Sequence, residues 1–163
     1  MKERTETEIL HRVAAYCSAA ERCIWDVAQK IRAAGLNREA EEKIIARLLQ
    51  EKFIDESRFC RSFVNDKLRF NKWGKIKIGY ELRKKHIQET HITEALAAIK
   101  EDAYLSTLST LLKEKKKTIR GKDQRETYYK LLRFAAGRGF ENKDINQCLK
   151  QLNIDGDEEE YRE

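Results

Sequence analysis

The side chains best suited to bind a partner in this 163-residue chain are cations, which are concentrated in two stretches. Residues 61–85 hold nine Lys and Arg against two acidic residues, and residues 113–125 hold seven against two. Cations with aromatic side chains nearby, here Phe70 and Trp73, suit contact with phosphate groups or with an acidic protein surface. The same pattern also fits helix faces that are simply solvated, so charge alone does not identify a partner.

The charge is distributed unevenly along the chain. The net formal charge is +6, but residues 1–154 alone hold 33 Lys and Arg against 22 Asp and Glu. Six acidic residues fall within 155–163, a composition that predicts a disordered acidic tail. The net charge therefore understates how basic the folded part is.

Catalytic and metal-binding patterns are weak. His11, His86 and His91 are too scattered to indicate a site, and the last two miss the i, i+4 spacing of a helical metal pair. A zinc site that combines Cys17 and Cys23 with a histidine fits no closed tetrahedral spacing. The sequence contains neither GxxxxGK[ST] nor GxGxxG.

The acidic pair Glu41 and Glu42 is expected to face solvent. We therefore predict no catalytic residues, no metal site, no cofactor and no enzyme activity.

One apolar register occurs three times and indicates how the basic stretches are positioned. It is anchored at Leu36, Ile87 and Phe140, with apolar residues nine and five positions before each anchor and eight, nine and twelve positions after it. This spacing predicts two amphipathic helices joined by a turn. The residue before each anchor is Gly35, His86 or Gly139, and glycine suits a helix stop with positive φ. Repetition of a helical unit about every 50 residues predicts a tandem array.

The predicted fold is therefore all-α, a tandem array of three three-helix repeats forming an elongated, curved molecule. The repeats are expected at 1–54, 55–100 and 101–154, followed by the tail at 155–163. The expected helices are 5–17, 21–34, 37–51, 56–70, 75–85, 88–100, 101–117, 122–136 and 141–153, with Asp55 as an N-cap.

A helix-turn-helix that reads DNA bases is an alternative interpretation, because two short helices around a glycine-containing turn have that shape. The three second helices open with NREA, QETH and ENKD. These openings are mixed or acidic, whereas base-reading helices favour Arg, Asn and Gln. The pattern therefore favours helices that pack as repeats.

The sequence predicts a cytoplasmic protein. No apolar run approaches the roughly 20 residues that cross a bilayer, and residues 1–4 lead into no apolar signal region. Cys17, Cys23, Cys60 and Cys148 form no CxxC pair and are expected to be reduced thiols within helices.

Three segments resemble the RecX regulatory proteins. Residues 53–64, FIDESRFCRSFV, resemble that family's (L/I)-D-(D/E)-x-R-F-A-x-x-(F/Y) segment. Residues 73–87, WGKIKIGYELRKKHI, resemble its G-x-x-x-I-x-x-E-L-x-x-K-G-I segment. Residues 22–31 stand where the family carries R-S-x-x-E-L-x-x-K-L. The departures are Cys60 for Ala, His86 for Gly, Cys23 for Ser, Asp26 for Glu and Val27 for Leu.

The resemblance implies a monomeric regulator that binds the RecA recombinase filament, and single- or double-stranded DNA within it, and inhibits recombination. It places the protein in homologous recombination, DNA repair and the SOS response, with no membrane partner. The alternative is a general nucleic-acid-binding helical repeat protein without RecA specificity. The residues expected to contact RecA or DNA are Arg69, Lys72, Trp73, Lys75, Lys77, Arg83, Lys84, Lys85, Lys113, Lys115, Lys116, Lys117, Arg120, Lys122 and Arg125.

Overall fold

The structure is a computed structural model that describes residues 5–154; the predicted tail at 155–163 and the first four residues lie outside the described part. Over the described residues every regular secondary-structure element is a helix, which confirms the predicted all-α class. Its nine α-helices are α1 Glu6–Ala19, α2 Ile24–Ala33, α3 Arg38–Gln50, α4 Glu56–Asp66, α5 Lys75–Lys84, α6 Glu89–Ala97, α7 Glu101–Lys116, α8 Gln124–Gly137 and α9 Asn142–Gln151. A π-helical turn, Lys67–Asn71, follows α4. None of these helices has the length and apolar character needed to span a membrane.

Short polar side chains start several of the helices. Thr5, Asn37, Asp55 and Asp123 each accept a hydrogen bond from the backbone N–H three residues further on, at 2.8–3.1 Å. Such caps satisfy N–H groups that have no partner inside the helix. The prediction that Asp55 is an N-cap is confirmed.

The predicted turns adopt the left-handed conformation that ends a helix. Gly35 has φ 87°, His86 has φ 58° and Gly139 has φ 94°. Histidine pays a steric cost of roughly 1 kcal/mol there that glycine avoids. The three turns therefore share one backbone shape although their residue types differ.

The chain divides into two compact units, and each is described separately below. The first comprises Met1–Phe63 and Leu82–Ala95, and the second comprises Val64–Glu81 and Leu96–Glu163. The predicted division into three repeats, and the elongated, curved shape, stay predictions.

The first unit has a core that α1, α2 and α3 build together. Its members are Ile9, Val13, Cys17, Val27, Ile31, Ile44, Leu48 and Ile54, all at most 8% exposed. Val27, Ile31 and Ile44 belong to the predicted apolar register, so the spacing identified core residues here.

The expectation for Glu41 was wrong. Glu41 is only 8% exposed, and its carboxylate accepts two hydrogen bonds from Arg32, at 2.7 and 3.3 Å. Helices α2 and α3 pack together, which places the Glu41 side chain against α2. The buried carboxylate is stabilised there by its hydrogen bonds to the Arg32 guanidinium. Glu42, one residue on, is exposed as expected.

The second unit has a core of α7, α8 and α9. Its fully buried members include Tyr104, Leu108, Leu131, Ala135, Phe140, Ile145, Cys148 and Leu149. Leu131, Ala135 and Phe140 occupy the register positions nine and five before the third anchor and the anchor itself. The π-helical turn packs against α7, which joins residues 67–71 to this core.

Candidate functional site

The most unusual backbone in the second unit follows α4. The π-helical turn Lys67–Asn71 ends at Lys72, which has φ 53°. The N–H groups of Lys72 and Trp73 both donate to the Lys67 carbonyl. For a residue with a β-carbon, the left-handed conformation costs roughly 1–2 kcal/mol of stability. Short π-helical turns are frequent at functional sites. The strained turn therefore marks residues 67–72 as a candidate site.

Trp73 lies next to two ammonium groups. The Nζ atoms of Lys67 and Lys77 lie 4.9 and 4.6 Å from the ring centroid of Trp73, and the indole is half-buried. Both distances are within the range of cation–π attraction. Trp73 is therefore neither fully exposed nor part of the core, and its ring contacts two cations.

The start of α5 is fixed to the turn that follows α8. The N–H of Gly74 donates to the Arg138 carbonyl at 2.8 Å, and the N–H of Ile76 donates to the Gly139 carbonyl at 3.0 Å. Arg138 also donates from its guanidinium to the Asn71 carbonyl at 2.9 Å. These bonds hold both ends of residues 71–76 against one turn.

Tyr104 fixes Lys75 from the core side. Its hydroxyl accepts a hydrogen bond from the Lys75 N–H at 2.9 Å, while the Lys75 ammonium lies 4.7 Å from the ring centroid. Burial raises the pKa of Tyr104 to about 12, so the hydroxyl stays protonated. The backbone carrying Lys75 and Lys77 is thus set by buried groups.

Three large apolar side chains in the same segment are exposed. Phe70 is 70% exposed, Ile76 56% and Tyr80 60%. Residues 67–80 contain five cations, three aromatic residues and no acid. We call these fourteen residues the basic-aromatic segment; exposed apolar groups among cations are typical of an interaction surface.

The second basic stretch surrounds the connection between α7 and α8. We call residues 113–125, from the end of α7 to the start of α8, the basic loop. Its cations are Lys113, Lys115, Lys116, Lys117, Arg120, Lys122 and Arg125. Within residues 5–154 none of the seven forms an ion pair. The loop backbone is held by Lys130, which donates to the Arg120 carbonyl at 3.1 Å, and by Glu126, which accepts from the Lys122 N–H at 3.0 Å.

The remaining candidate residues lie in the first unit. Arg83 is paired with Glu89, its exposed partner on α6, at 2.6 Å. Lys85 is half-buried, and its ammonium group lies 2.8 Å from Asp26 and 5.2 Å from the Trp25 ring centroid. Burial opposes ionisation of Asp26, but hydrogen bonds from Lys85 and from the Cys23 backbone outweigh it and lower the pKa of the carboxyl. Lys85 is therefore engaged inside its own unit. The side chain of Lys84 is exposed.

The structure thus brings Arg69, Lys72, Trp73, Lys75 and Lys77 into one segment and places the basic loop in the same unit. The predicted set omitted residues that shape this site, namely Lys67, Phe70, Ile76, Tyr80, Tyr104 and Arg138. The absence of any acid from residues 67–80 was a usable sequence signal for Lys67, Phe70, Ile76 and Tyr80. Nothing local in the sequence indicated Tyr104 or Arg138, because their contacts span 29 and 67 residues.

The described residues contain neither an accessible cysteine thiol nor a cluster of metal ligands. All four cysteines are free and buried, and burial raises the pKa of Cys23 to about 12 and that of Cys60 to about 11. Over residues 5–154, no cluster of three or more His, Cys, Asp or Glu could hold a metal ion.

Several known proteins that are similar to this chain are named regulatory protein RecX. A profile of the RecX second three-helix domain matches residues 55–96. Regulatory protein RecX of Chlorobium phaeobacteroides is 35% identical over 113 residues, which cover 69% of this chain and 72% of that protein. Regulatory protein RecX of Prosthecochloris aestuarii is 29% identical over 152 residues, 93% of this chain and 98% of that protein. For the Clostridium tetani RecX, 31% identical over 134 residues, the match spans only 60% of the relative.

Solved structures show the same fold. A crystal structure of regulatory protein RecX superposes with a TM-score of 0.81 at 21% identity, covering 89% of this chain and 73% of that one. RecX from Lactobacillus salivarius gives a TM-score of 0.80 at 18% identity, covering 92% of this chain and 97% of that chain.

Proposed function

The chain belongs to the RecX family of regulatory proteins, and from this premise we propose that it binds the RecA recombinase and its DNA filament and inhibits recombinase activity. It acts without catalysis, as a monomer in the cytoplasm, within homologous recombination, DNA repair and the SOS response. The observation that carries the proposal is the basic-aromatic segment, whose fourteen residues include five cations and three aromatic residues and no acidic residue.

The rigid backbone of this segment supports a binding role. Hydrogen bonds to Arg138, Gly139 and Tyr104 fix residues 74–76, and Trp73 holds Lys67 and Lys77 in place. Side chains that are already ordered lose less entropy on binding, so more of the interaction energy appears as affinity. Attraction between these cations and an anionic filament also speeds encounter.

Inhibition of RecA-driven strand exchange is the direct test. We expect Lys72→Glu, Lys75→Glu, Lys77→Glu and Lys84→Glu, made together, to abolish inhibition with helicity unchanged. The matched control reverses four cations outside the predicted site, Lys43, Arg133, Lys143 and Lys150, each of which is exposed. If the first variant inhibits at wild-type concentrations, the cations only solvate the surface and the proposed site is wrong.

A general nucleic-acid-binding role is the second candidate, because the cations of the basic loop, which form no ion pair among residues 5–154, would suit any polyanion. Co-sedimentation with RecA filaments, compared with binding to naked single-stranded DNA, separates the two. Binding to DNA alone should weaken with a slope in log salt of about −0.7 per phosphate contact. Equal affinity for DNA with and without RecA would favour the general role.

A further inference from the structure

Two aromatic rings of the basic-aromatic segment are open to solvent. Phe70, in the π-helical turn, is 70% exposed, and Tyr80, in α5, is 60% exposed. Ile76 is exposed as well and lies four residues before Tyr80, so these two side chains share one face of α5, about 6 Å apart along its axis. This part of the chain therefore presents flat apolar groups that a partner can reach.

Phe70 lies beside cations, unlike the rings that build the core of the same unit. There, Tyr104 and Phe140 pack with their ring centroids 5.2 Å apart, a contact that stabilises the fold. The ring of Phe70 instead lies next to the Arg69 guanidinium, whose Cζ atom is 5.3 Å from the ring centroid. Lys72 follows two residues later, so the exposed ring has positive charge on both sides in the chain.

This combination fits the chemistry of a single-stranded nucleic acid. Residues 67–80 contain five cations and no acidic residue, which favours a polyanionic partner. A single strand offers phosphates to the cations and unpaired bases whose flat faces can stack on aromatic rings. In a duplex the base faces are covered by neighbouring bases, so a ring reaches one only after the base is flipped out. An acidic peptide would satisfy the cations but offers no regular series of flat groups to the rings.

Hydrogen bonds fix the backbone that carries the two rings. The Asn71 carbonyl, next to Phe70, accepts a hydrogen bond from the Arg138 guanidinium at 2.9 Å. At the start of α5, the Ile76 N–H donates to the Gly139 carbonyl at 3.0 Å. Because both ends of this stretch are attached to one turn, little backbone ordering is needed when a strand binds.

We propose that Phe70 and Tyr80 stack on unpaired bases of single-stranded DNA, while the cations of the segment contact its phosphates. Ile76 adds an apolar contact beside Tyr80. The segment then distinguishes a single strand from a duplex by stacking, without reading the base sequence. The identity of the strand as DNA rests on the proposed function, whereas the stacking itself does not depend on RecA.

Replacing both rings by leucine tests the stacking. The double-leucine variant, Phe70→Leu with Tyr80→Leu, keeps apolar side chains and removes the aromatic faces. Its affinity for a fluorescein-labelled oligothymidylate, measured by fluorescence anisotropy, should fall roughly tenfold because stacking is lost. Its affinity for an abasic strand of the same length should not change. The slope of affinity against log salt should also be unchanged, because no phosphate contact is removed.

Two control variants separate stacking from charge and from a general loss of aromatic residues. Lys72→Gln should weaken binding to both strands and make the salt slope shallower by about 0.7. Tyr16→Leu removes a ring that also lies among cations, 3.8 Å from the Arg22 Cζ atom, but in the first unit. This second control should alter neither affinity. Circular dichroism checks that each variant retains its helicity.

A measurement on the wild-type protein needs no variant. In aromatic ¹H–¹³C spectra, the ring resonances of Phe70 and Tyr80 should shift on addition of oligothymidylate and stay in place on addition of the abasic strand. Equal affinity of the wild type for these two strands, or an equal loss of both affinities in the double-leucine variant, would overturn the stacking. Affinity for a duplex that equals or exceeds that for a single strand of the same length would overturn the selectivity.

A strand-exchange assay separates this inference from the proposed function. A wild-type protein that stacks on oligothymidylate but does not inhibit RecA contradicts the proposed function and leaves the inference standing. A wild-type protein that inhibits RecA, together with a double-leucine variant of unchanged affinity for oligothymidylate, overturns the stacking alone.

Discussion

Gly74 and Gly139 touch backbone to backbone. A β-carbon built on Gly74 would lie 2.3 Å from the Gly139 carbonyl oxygen, and one built on Gly139 would lie 2.4 Å from the Lys77 β-carbon. This approach allows the Gly74 and Ile76 N–H groups to reach the Arg138 and Gly139 carbonyls. Two glycines therefore determine where the basic-aromatic segment sits on the second unit.

Gly74→Ala should destabilise the protein by about 1–3 kcal/mol, because the new methyl group would meet backbone that cannot move without breaking hydrogen bonds. Chemical denaturation followed by circular dichroism measures the change. Gly137→Ala is the matched control, since a β-carbon there meets nothing within 4 Å and alanine favours the helix. Equal stability of Gly74→Ala and the wild type would show that the close approach is not required.

The sequence predicted the helices well because their signals are local. The repeated register marked Val27, Ile78 and Leu131, all 0% exposed, since helical spacing alone indicates a buried face. Asp55 was likewise identified from its neighbours. Glu41 was not, because its burial depends on Arg32, a residue of another helix.

The candidate site could be predicted only in part. Its cations were evident from the composition. The sequence predicts one continuous helix over 56–70, whereas in the structure α4 ends at Asp66 and a π-helical turn follows. Which cations are already engaged also depends on tertiary packing: Lys85 reaches Asp26 across 59 residues. The exposure of Phe70 follows from the turn, so helical spacing could not indicate it.

Glu56→Gln should change how stability depends on pH. The Glu56 carboxylate accepts a hydrogen bond from the Ile24 N–H, but its Oε2 is buried without a partner among the described residues, and burial raises the pKa of the carboxyl. A raised folded-state pKa gives stability that is full below the unfolded value near 4.5 and is lost as pH rises through the folded value.

The free energy of unfolding of Glu56→Gln, minus that of the wild type, should therefore increase from about pH 4 toward neutrality and then level off. Asp26 is present in both proteins, and its nearby negative charge contributes to the raised pKa of Glu56. Urea denaturation across this range measures the difference, and Glu42→Gln, which removes an exposed carboxylate, is the control. A difference that decreases toward neutral pH would contradict the prediction.

Phe70→Ala should affect binding without affecting the fold. The side chain is 70% exposed, so stability should change by no more than about 0.5 kcal/mol. If the ring is an anchor for the filament, inhibition of strand exchange should weaken by roughly fivefold or more. Leu49→Ala, an exposed apolar position on α3 in the first unit, should leave inhibition unchanged. Equal inhibition by Phe70→Ala and the wild type would remove Phe70 from the interface.

Lys72→Gly should stabilise the protein and weaken its function at the same time. Lys72 has φ 53°, where glycine avoids a steric cost of about 1–2 kcal/mol, so the midpoint of thermal unfolding should rise. The same change removes a cation from the basic-aromatic segment, so inhibition of RecA should decline. Lys52→Gly is the matched control: Lys52 has φ 61° after α3, outside the predicted site, and relieving its strain should stabilise without altering inhibition. If both variants gain stability and both inhibit fully, the strain at Lys72 is only a feature of the turn, and binding must depend on other residues.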